Sequence, residues 1–553
     1  MSLFRILMLP LAAVSLAAVS LAAAPAPRSA PVDPAAAARV RGHIEFLADD
    51  LLEGRGSGTR GHEIAAAYVA SQFRGLGLQP AGENGSWYQW VPLRRARLVE
   101  GKTSISMSTG AAFVPVSEYE LGLRPSLTEA TRAIDAGMVF VGYGLSDAAL
   151  GLDDYAGLDV RGKIVVMLGG TPDGLPTEIA AHLGADKKSA AAAHGAVGML
   201  ELAGGRGRVR PGAPTTSLYS KRPAIDWVDQ AGKSGSDSGS VRVSLTASRT
   251  MAERLFAGAA RSLAQVRAEA ERKGVRPRGF ALRPRLSIRS ASSWENFRSP
   301  EVIAKLPGAD PRLAAEHIVL MGHLDHLGLA TNPKPGADVV NNGALDNAAG
   351  VATMIEAARA FVASGKPPRR SVMFIANTGE ELGLLGADYF AAHPTVPAAS
   401  IVGLVDLDMP LLLYPFTDVI AFGADRSTLA TAVRDAGRSM GVSVSPDPMP
   451  QESIFVRSDH YRFVTRGIPA ILLMTGYANG GEAQWKNFLG NVYHSPRDDL
   501  AQKIDWNAAA RYGELNYRIS RTLADADQRP LWYRGDYFGD RFAPTAPRAE
   551  RKP

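Results

Sequence analysis

The chain has 553 residues, of which 46% are hydrophobic and 21% are charged, a composition typical of a globular protein with more than one core. Lysine and arginine number 61 against 55 for aspartate and glutamate, and because this excess forms no basic arm or aromatic-basic stripe, we expect no binding of nucleic acid. The absence of cysteine excludes disulfides, thiolate metal ligands and a cysteine nucleophile.

Residues 1–26 have the pattern of a secretory signal peptide. A positive start at Arg5 precedes an apolar run and small residues near Ala22 to Ala26, where we predict cleavage. A membrane anchor is the competing interpretation, since the run approaches the roughly 18 residues that span a bilayer. Its alanine-rich, weakly hydrophobic composition favours cleavage. We therefore predict an exported protein, in the bacterial periplasm or outside the cell, with no stable membrane insertion after the signal is removed.

Residues 27–100 are predicted to form a helical arm that packs on the catalytic domain. The apolar face of its first helix consists of Val40, Ile44, Leu47 and Leu51. The glycine-rich turn EGRGSGTRG ends this helix, and a second helix follows, with Gly77 as its C-terminal cap.

Residues 101–285 contain short apolar runs bounded by glycine, aspartate and proline, which are signals of β-strands. The runs are GMVFVGYGL, KIVVMLGG, AVGMLELAG and VRVSLTAS, with an alanine-rich helix after the second. We interpret this region as a smaller, β-rich α/β domain with its connecting segments. Its sequence has no cluster of metal ligands and no nucleophile with a base, so its predicted role is packing or control of substrate access.

Residues 286–530 alternate between strands and helices and are predicted to be the catalytic domain. HIVLMG, SVMFIAN, IVGLVDLD and AILLMTG have the length of buried strands, and apolar residues recur at helical spacing through 347–363. Such strands, joined by helices, indicate an α/β fold with a mostly parallel mixed sheet flanked by helices. Residues 531–553 form a C-terminal tail rich in proline, arginine and glycine, whose end is predicted to be disordered.

Potential metal ligands follow the strands of the predicted catalytic domain. They lie in the segments MGHLDHLG, NNGALDNAAG, NTGEELGLLG, VDLDMP and NVYHSPRDD, and they are His323, Asp346, Glu381, Asp408 and His494. Open α/β sheets place their sites at the carboxyl ends of strands. Taken singly, each residue has a structural alternative, such as a helix cap for Asp346. Together their imidazole and carboxylate groups suit a pair of zinc ions, and Glu380 remains as a proton acceptor beside Glu381.

These segments resemble those of the family 28 metallopeptidases, which are co-catalytic zinc aminopeptidases. The resemblance extends to the arm and to residues 137–250, which resemble a protease-associated domain. It implies two Zn²⁺ per chain, with Asp346 bridging both ions, Glu381 and His494 completing one site, and His323 and Asp408 completing the other. Asp325 would orient the imidazole of His323. Leu345 and Ser495 depart from the commonest family pattern but leave the ligands in place.

The resemblance also implies a mechanism for hydrolysis of N-terminal peptide bonds. A metal-bound hydroxide would attack the carbonyl carbon, with Glu380 as general base and the Tyr493 hydroxyl as a stabiliser of the oxyanion, unless Tyr493 is only a packed aromatic. The segment VRSDHYRFVTRGIPA matches a further family motif, in which Ser458 or Asp459 would cap a helix. Candidate substrate contacts are Arg457, His460 and Trp485, the last of which lines the pocket or packs over it.

The function predicted from the sequence is that of an exported two-zinc aminopeptidase that acts on peptides. A carboxypeptidase of the same fold is the nearest alternative, but it needs a basic cluster for the substrate's carboxylates, and Arg457 alone is thin support. Glutaminyl cyclases of this family resemble single-zinc enzymes, whereas this chain keeps the full ligand set. A non-catalytic binding protein, as transferrin receptor is, typically follows loss of ligands or of the free glutamate, and this chain has lost none.

Overall fold

A computed structural model describes residues 33–202, 217–219 and 222–551, so the predicted signal peptide lies outside the described residues. The α-helices of these ranges are α1 Ala36–Leu47, α2 Arg60–Gly75, α3 Thr177–Ala193, α4 Arg249–Leu255, α5 Leu263–Ala270, α6 Ala349–Ala363, α7 Leu385–Ala392, α8 Leu429–Met440, α9 His460–Val464, α10 Gly481–Asn487, α11 Trp506–Asp525 and α12 Tyr537–Phe542. Within the same ranges, none of the helices combines the length and apolar character needed to cross a bilayer.

The β-strands of the described ranges are β1 Gln79–Pro80, β2 Tyr88–Leu98, β3 Ser104–Ser108, β4 Val114–Pro115, β5 Leu121–Leu123, β6 Thr131–Phe140, β7 Ser146–Asp147, β8 Leu152–Asp153, β9 Ile164–Leu168, β10 Gly198–Leu202, β11 Ala224–Trp227, β12 Val243–Ala247, β13 Phe280–Leu306, β14 His317–His323, β15 Gly328–Leu329, β16 Val340–Asn341, β17 Ser371–Asn377, β18 Ile401–Asp406, β19 Asp418–Phe422, β20 Ser443–Ser445, β21 Ala470–Thr475, β22 Trp532–Tyr533 and β23 Arg548–Ala549. Most of them belong to two sheets that share β13.

The large sheet has a parallel centre in the order β17, β14, β18, β21. Leu320 of β14 pairs with Phe374 of β17 on one side and Val405 of β18 on the other. Every residue of these four strands is buried, which explains their continuous apolar sequences. Antiparallel pairings add β13 and β2 beyond β17, and β19 beyond β21. Helices α6 and α11 pack on β14, so the predicted α/β fold with a mostly parallel mixed sheet is confirmed.

The small sheet also has a parallel core, formed by β6, β9, β10 and β12 in that order. Strand β5 pairs antiparallel with β12, while β13 pairs antiparallel with β6 and β3. The first half of β13 therefore belongs to the small sheet and the second half, paired with β2 and β17, to the large one. The predicted boundary at 285/286 falls inside this strand. In addition, β11 pairs with β2 of the large sheet.

The arm follows the predicted pattern of two helices around a glycine-rich turn. Val40, Ile44 and Leu47 of α1 are fully buried, but α1 ends at Leu47 and the side chain of Leu51 is 85% exposed, so the prediction for Leu51 was wrong. Gly77 has φ +78° directly after the end of α2, as a C-terminal glycine cap requires.

The C-terminal tail is ordered through Arg551, which contradicts the predicted disorder. Strands β22 and β23 pair with each other, and α12 lies between them. Trp532 and Phe538 are buried, and Phe538 packs edge to face against Phe455. These few large aromatic side chains supply the apolar contact area that the proline- and arginine-rich composition of the tail concealed.

Candidate metal centre and active-site cavity

The carboxyl ends of three adjacent parallel strands bring the predicted site residues to one edge of the large sheet. His323 is the last residue of β14, Glu380 and Glu381 follow β17, and Asp408 follows β18. Because β14 lies between β17 and β18, these side chains converge from neighbouring strands. Asp346 comes from the turn that precedes α6.

The first candidate group consists of His323, Asp346 and Asp408. The Nε2 atom of His323 lies 3.2 Å from Oδ1 of Asp346 and 3.1 Å from Oδ1 of Asp408. All three residues are buried, and their ligand atoms lie within 4.8 Å of one another. The structure therefore brings together the three residues predicted to hold one ion.

The second candidate group uses the other carboxylate oxygen of Asp346. Nε2 of His494 lies 3.3 Å from Oδ2 of Asp346 and 3.2 Å from Oε2 of Glu381. His494 has φ +54°, an unusual backbone conformation for a non-glycine residue, which turns its ring toward these carboxylates. Asp346 thus faces both groups with different oxygens, the arrangement that a bridging ligand requires. The ligand roles of all five residues stay a prediction.

His326 is a further member of the cluster that the sequence analysis missed. Its Nδ1 atom lies 2.7 Å from Oε1 of Glu381 and 4.0 Å from Oδ2 of Asp346. The close approach to Glu381 is not aligned as a hydrogen bond, and among the described residues neither ring nitrogen of His326 has a hydrogen-bond partner. The repeated histidine in HLDHLG was the available signal, but its spacing alone does not show which histidine faces the carboxylates.

The pKa values of residues in the cluster are shifted because their charged groups lie close together. Burial opposes protonation of His494, but Asp346 and Glu381 outweigh it and raise its pKa to about 9. Burial alone would raise the pKa of Asp346, yet His323 and His494 hold it below its usual range. This set of buried imidazole nitrogens and carboxylate oxygens, including the unpartnered Oε1 of Glu381, fits the ligand preferences of zinc.

Two polar residues outside the candidate ligands hold them in place. Asp498 accepts hydrogen bonds of 2.9 Å from the backbone amides of Leu345 and Asp346. The hydroxyl of Ser458 lies 2.7 Å from Oδ2 of Asp408 and 2.8 Å from Oδ2 of Asp406. Ser458 was expected only as a possible helix cap, and Asp498 was not singled out, because a contact between distant segments leaves no local sequence pattern.

Asp325 differs from its predicted role. Nδ1 of His323 lies 2.9 Å from the backbone carbonyl oxygen of Asp325, whereas the Asp325 carboxylate is 4.0 Å away. That carboxylate instead accepts a hydrogen bond of 2.8 Å from the Ser57 hydroxyl and one of 3.3 Å from the Glu380 amide. In this geometry the main chain orients the imidazole, and the carboxylate links the arm to the segment of Glu380.

A cavity of about 380 Å³ opens beside the cluster, with Asp346, Asp408 and Glu380 in its wall. Burial raises the pKa of Glu380 well above its usual range, an effect that His323 opposes and Glu381 reinforces. Tyr493 also lines the cavity and stacks on His494 with ring centroids 3.7 Å apart. Burial raises the pKa of Tyr493, so its hydroxyl keeps its proton. The apolar part of the remaining wall consists of Met409, Met449, Ile454, Leu472, Met474, Trp485 and Leu489, and Glu452, Arg457, Ser458 and Gly490 complete it.

The structure places two of the three residues predicted to contact substrate in the cavity wall and buries the third elsewhere. Arg457 lines the cavity, where it donates a hydrogen bond of 3.1 Å to the carbonyl oxygen of Glu452. Trp485 also lines it, although the residue is buried and its indole NH donates to Thr475 at 2.9 Å. His460 is completely buried, with Nδ1 3.4 Å from Oδ2 of Asp406, which contradicts the predicted substrate contact.

Residues 301–520 match the model of a family described as peptidase family M28. Among curated proteins, leupeptin-inactivating enzyme 1 of Streptomyces exfoliatus is 31% identical over 213 residues, which cover 37% of this chain and 44% of that protein. The vacuolar membrane protease of Candida glabrata is 34% identical over 100 residues, or 18% of this chain and 9% of the relative. The aligned segments thus span less than half the length of these curated relatives.

The solved structures that match this chain include two aminopeptidases. The aminopeptidase from Aneurinibacillus sp. strain AM-1 has a TM-score of 0.48 and 20% identity, over 91% of this chain and 97% of that one. The zinc aminopeptidase from Bacillus subtilis has a TM-score of 0.43 and 17% identity, over 90% and 97%.

Proposed function

We propose that this chain, whose residues 301–520 belong to peptidase family M28, is an exported two-zinc aminopeptidase that removes residues from the free amino terminus of peptides. The observation that carries the proposal is the position of Asp346. Its two carboxylate oxygens face two separate groups of imidazole and carboxylate ligands, beside a cavity that also contains Glu380. The proposed export rests on the sequence pattern of residues 1–26.

The two zinc ions would be held by side chains that already converge. His323 and Asp408 would hold one ion, Glu381 and His494 the other, and Asp346 both. When bound, such a pair of ions supplies Lewis acidity, which makes water nucleophilic near neutral pH and polarises a carbonyl group.

Glu380 is the residue that moves the proton in this proposal. It follows β17 directly beside Glu381, yet it faces the cavity and belongs to neither ligand group. Its raised pKa suits a group that takes a proton from water and then returns it to the leaving amine. The protonated hydroxyl of Tyr493 is placed in the same wall to donate a hydrogen bond to the oxyanion as the carbonyl becomes tetrahedral.

The cavity wall is poorly suited to recognise a substrate's carboxylates. Among the described residues, Arg457 is the one cationic side chain in this wall, and it lies 3.1 Å from the carbonyl oxygen and 3.4 Å from the carboxylate of Glu452. A carboxypeptidase specific for acidic ends needs uncompensated basic groups, whereas Glu452 compensates the charge of Arg457. The largely apolar remainder of the wall has no charge to match an acidic side chain.

The test uses the full-length protein and three reporters that carry the same leucine. Metal analysis should find about two zinc ions per chain. An aminoacyl reporter with a free amine should be hydrolysed, and a chelator should stop its hydrolysis. The N-acetylated form and a carboxyl-terminal reporter should be resistant. Zinc-loaded protein that cleaves only the carboxyl-terminal reporter would establish the carboxypeptidase alternative, and protein without bound zinc or hydrolysis would establish a binding function instead.

A further inference from the structure

The arm loop, residues 53–59 between α1 and α2, lies against the segments that carry the candidate site. Gly54 has φ +67°, and a Cβ atom added there would lie 2.3 Å from the carbonyl oxygen of Asn341 and 2.9 Å from that of Gly328. Gly56 forms an isolated parallel β-bridge with His326. The main chain of the arm loop is therefore seated directly on the segment that follows His323 and on the one that precedes Asp346.

Arg55 ties these two segments together through its guanidinium group. The residue is 1% exposed, and its Nε donates a hydrogen bond of 2.9 Å to the carbonyl oxygen of Leu324. Its other two nitrogens donate to the backbone carbonyl oxygens of Asn342 at 2.7 Å, of Gly343 at 3.1 Å and of Leu47. Leu324 is the residue after His323, and Gly343 lies three residues before Asp346. One buried cation from the arm thus spans the backbone of both ligand-bearing loops.

Ser57 makes the corresponding connection to the third segment, which carries Glu380. Its hydroxyl donates a hydrogen bond of 2.8 Å to Oδ2 of Asp325 and accepts one of 3.2 Å from the backbone amide of Gly379. The other oxygen of Asp325 accepts from the amide of Glu380 at 3.3 Å. Two consecutive amides at the base of Glu380 are therefore held by a chain of hydrogen bonds that begins in the arm.

We infer that the arm loop is part of the active site: Ser57 is a positioning residue for Glu380, and Arg55 positions the loops that carry His323 and Asp346. Neither residue touches the cavity, so each acts through the backbone that it holds. Outer partners of this kind typically change metal affinity or activity by about 10- to 100-fold when they are removed. The expected changes in kcat and KM rest on the proposed peptidase activity. The measurements of hydrogen exchange and zinc affinity described below do not need that activity.

The decisive variants are Ser57→Ala, which removes the hydroxyl, and Ser57→Thr, which keeps it. Ser71→Ala is the matched control, because Ser71 lies in the same arm on α2 and, among the described residues, its hydroxyl donates only to the carbonyl oxygen of Tyr68, at 2.6 Å. Amide hydrogen exchange of residues 379 and 380 should accelerate in Ser57→Ala, in the presence and absence of zinc, and remain at the wild-type rate in the other two. In active enzyme, kcat of Ser57→Ala should fall about 10-fold or more with KM within about twofold, and zinc content should be unchanged.

Restoration of both the exchange rate and kcat in Ser57→Thr would support a positioning role for the hydroxyl. Wild-type exchange in Ser57→Ala, or a kcat within twofold of wild type, would overturn it. A fall in kcat without faster exchange at 379 and 380 would also overturn it, since the loss would then come from elsewhere. If the wild-type protein has no peptidase activity, the proposed function fails, and the exchange comparison alone decides the role of Ser57.

Arg55→Lys tests the other half of the inference without an activity measurement. Lysine keeps the positive charge but cannot reach Leu324, Asn342 and Gly343 with one planar group. Competition with a chelator should show zinc affinity about 10-fold weaker than in wild type, while Ser71→Ala retains it. Unchanged zinc affinity would show that Arg55 does not position the ligand loops. Should Arg55→Lys fail to fold, Arg55 would be structural, and the Ser57 variants would decide the rest.

Discussion

The two sheets of this molecule share strand β13 and each has a parallel core, yet in the part of the chain that the structure describes only one of them carries candidate chemistry. In the large sheet, the segments at the ends of β14, β17 and β18 contain histidines and carboxylates. In the small sheet, β6 and β9 are followed by VGYG and GGTPDG. Both groups of potential metal ligands found among the described residues lie in the large-sheet region. Both sheets therefore have an edge formed by the carboxyl ends of parallel strands, and the side chains at that edge determine whether a site can form there.

Two polar residues of the small-sheet region instead face the rest of the protein. They are Glu178 and His182 of helix α3, which contact the large-sheet region and the C-terminal tail. Ser453 donates a hydrogen bond of 3.3 Å to the carbonyl oxygen of Thr177 at the start of α3. Because Ile454, the next residue, lines the cavity, this contact lies beside the cavity wall. We propose that the small-sheet region controls access to the site and takes no part in bond breaking.

The strongest test of the contrast removes the ligand that faces both groups. Asp346→Ala should bind neither zinc ion and should be inactive, because a bridging carboxylate serves both ions. His494→Ala should keep more metal, since His494 contacts only one group. Metal analysis of the two purified variants checks this expectation. Two zinc ions retained in Asp346→Ala would show that the bridging assignment is wrong.

The next largest effect is expected for Glu380→Gln, which should reduce kcat by about 10² to 10⁴-fold. The variant keeps the size of the side chain and all five candidate ligands, so zinc content and folding should equal those of the wild type. Steady-state kinetics with metal analysis on the same sample measures both. Retention of more than a tenth of the wild-type kcat would remove Glu380 from the proposed mechanism.

The parts of the fold that the sequence predicts well are those in which a local pattern matches burial on both faces. SVMFIAN corresponds to β17 residue for residue, and the helix predicted over 347–363 is α6, Ala349–Ala363. By contrast, β13 was missed as one strand because arginine, serine and proline interrupt its apolar positions. Those residues are compatible with a strand here because its two halves belong to different sheets and have different exposed positions.

Some features of the candidate site could likewise be predicted from local sequence patterns, whereas others depend on contacts between distant segments. The ligand types follow the strand ends in the sequence, so their convergence at one edge could be predicted from the order of elements. Arg55, Ser57 and Asp498 bond to Leu324, Asp325 and Leu345, which are 153 to 269 residues away, and no periodicity or spacing reveals these partners. His460 illustrates the opposite error, because a family motif suggested a substrate contact for a side chain that the short helix α9 buries.

Arg426 allows a test of the junction between the two regions. It pairs with Glu178 of α3 and with Asp536 of the tail, the latter at 3.2 Å, and its guanidinium lies over Phe455 and Phe538. Its side chain is only 16% exposed, so Arg426→Met leaves two largely buried carboxylates without their cation and should lower the free energy of unfolding by about 3 kcal/mol.

The control for Arg426→Met is Arg534→Met. Arg534 is 69% exposed and pairs with the exposed Glu550, so its loss should cost less than about 1 kcal/mol. Chemical unfolding of both variants measures the difference. Adding Glu178→Gln to Arg426→Met should recover part of the lost stability, because the unpaired carboxylate is then removed. Equal stability of the two single variants would mean that the junction contributes no more than a surface ion pair.

The smallest expected effect concerns the pH dependence of the same junction. His182 of α3 lies among Tyr461, Tyr537, Phe538 and Phe542, and the Tyr461 hydroxyl is 2.7 Å from its Nδ1. Burial lowers its pKa from 6.5 to about 4, with Arg541 adding to the shift and Asp186 and Asp147 opposing it. The unfolded chain therefore binds a proton at higher pH than the folded protein. The stability contributed by neutral His182 is complete above about pH 6.5 and is lost as the pH falls toward 4.

His182→Gln keeps a polar side chain at this position but does not titrate. Between pH 7 and pH 5 its free energy of unfolding should therefore fall by about 2 kcal/mol less than that of the wild type. His317 of β14 is a matched case in the large sheet, because burial also lowers its pKa to about 4. His317→Gln should reduce the same acid loss by a similar amount, and the double variant should show the sum, since the two histidines have no hydrogen-bonding partner in common. Unfolding curves at the two pH values provide the measurement. An unchanged difference between pH 7 and pH 5 in His182→Gln would show that the junction between the two regions does not keep this histidine neutral.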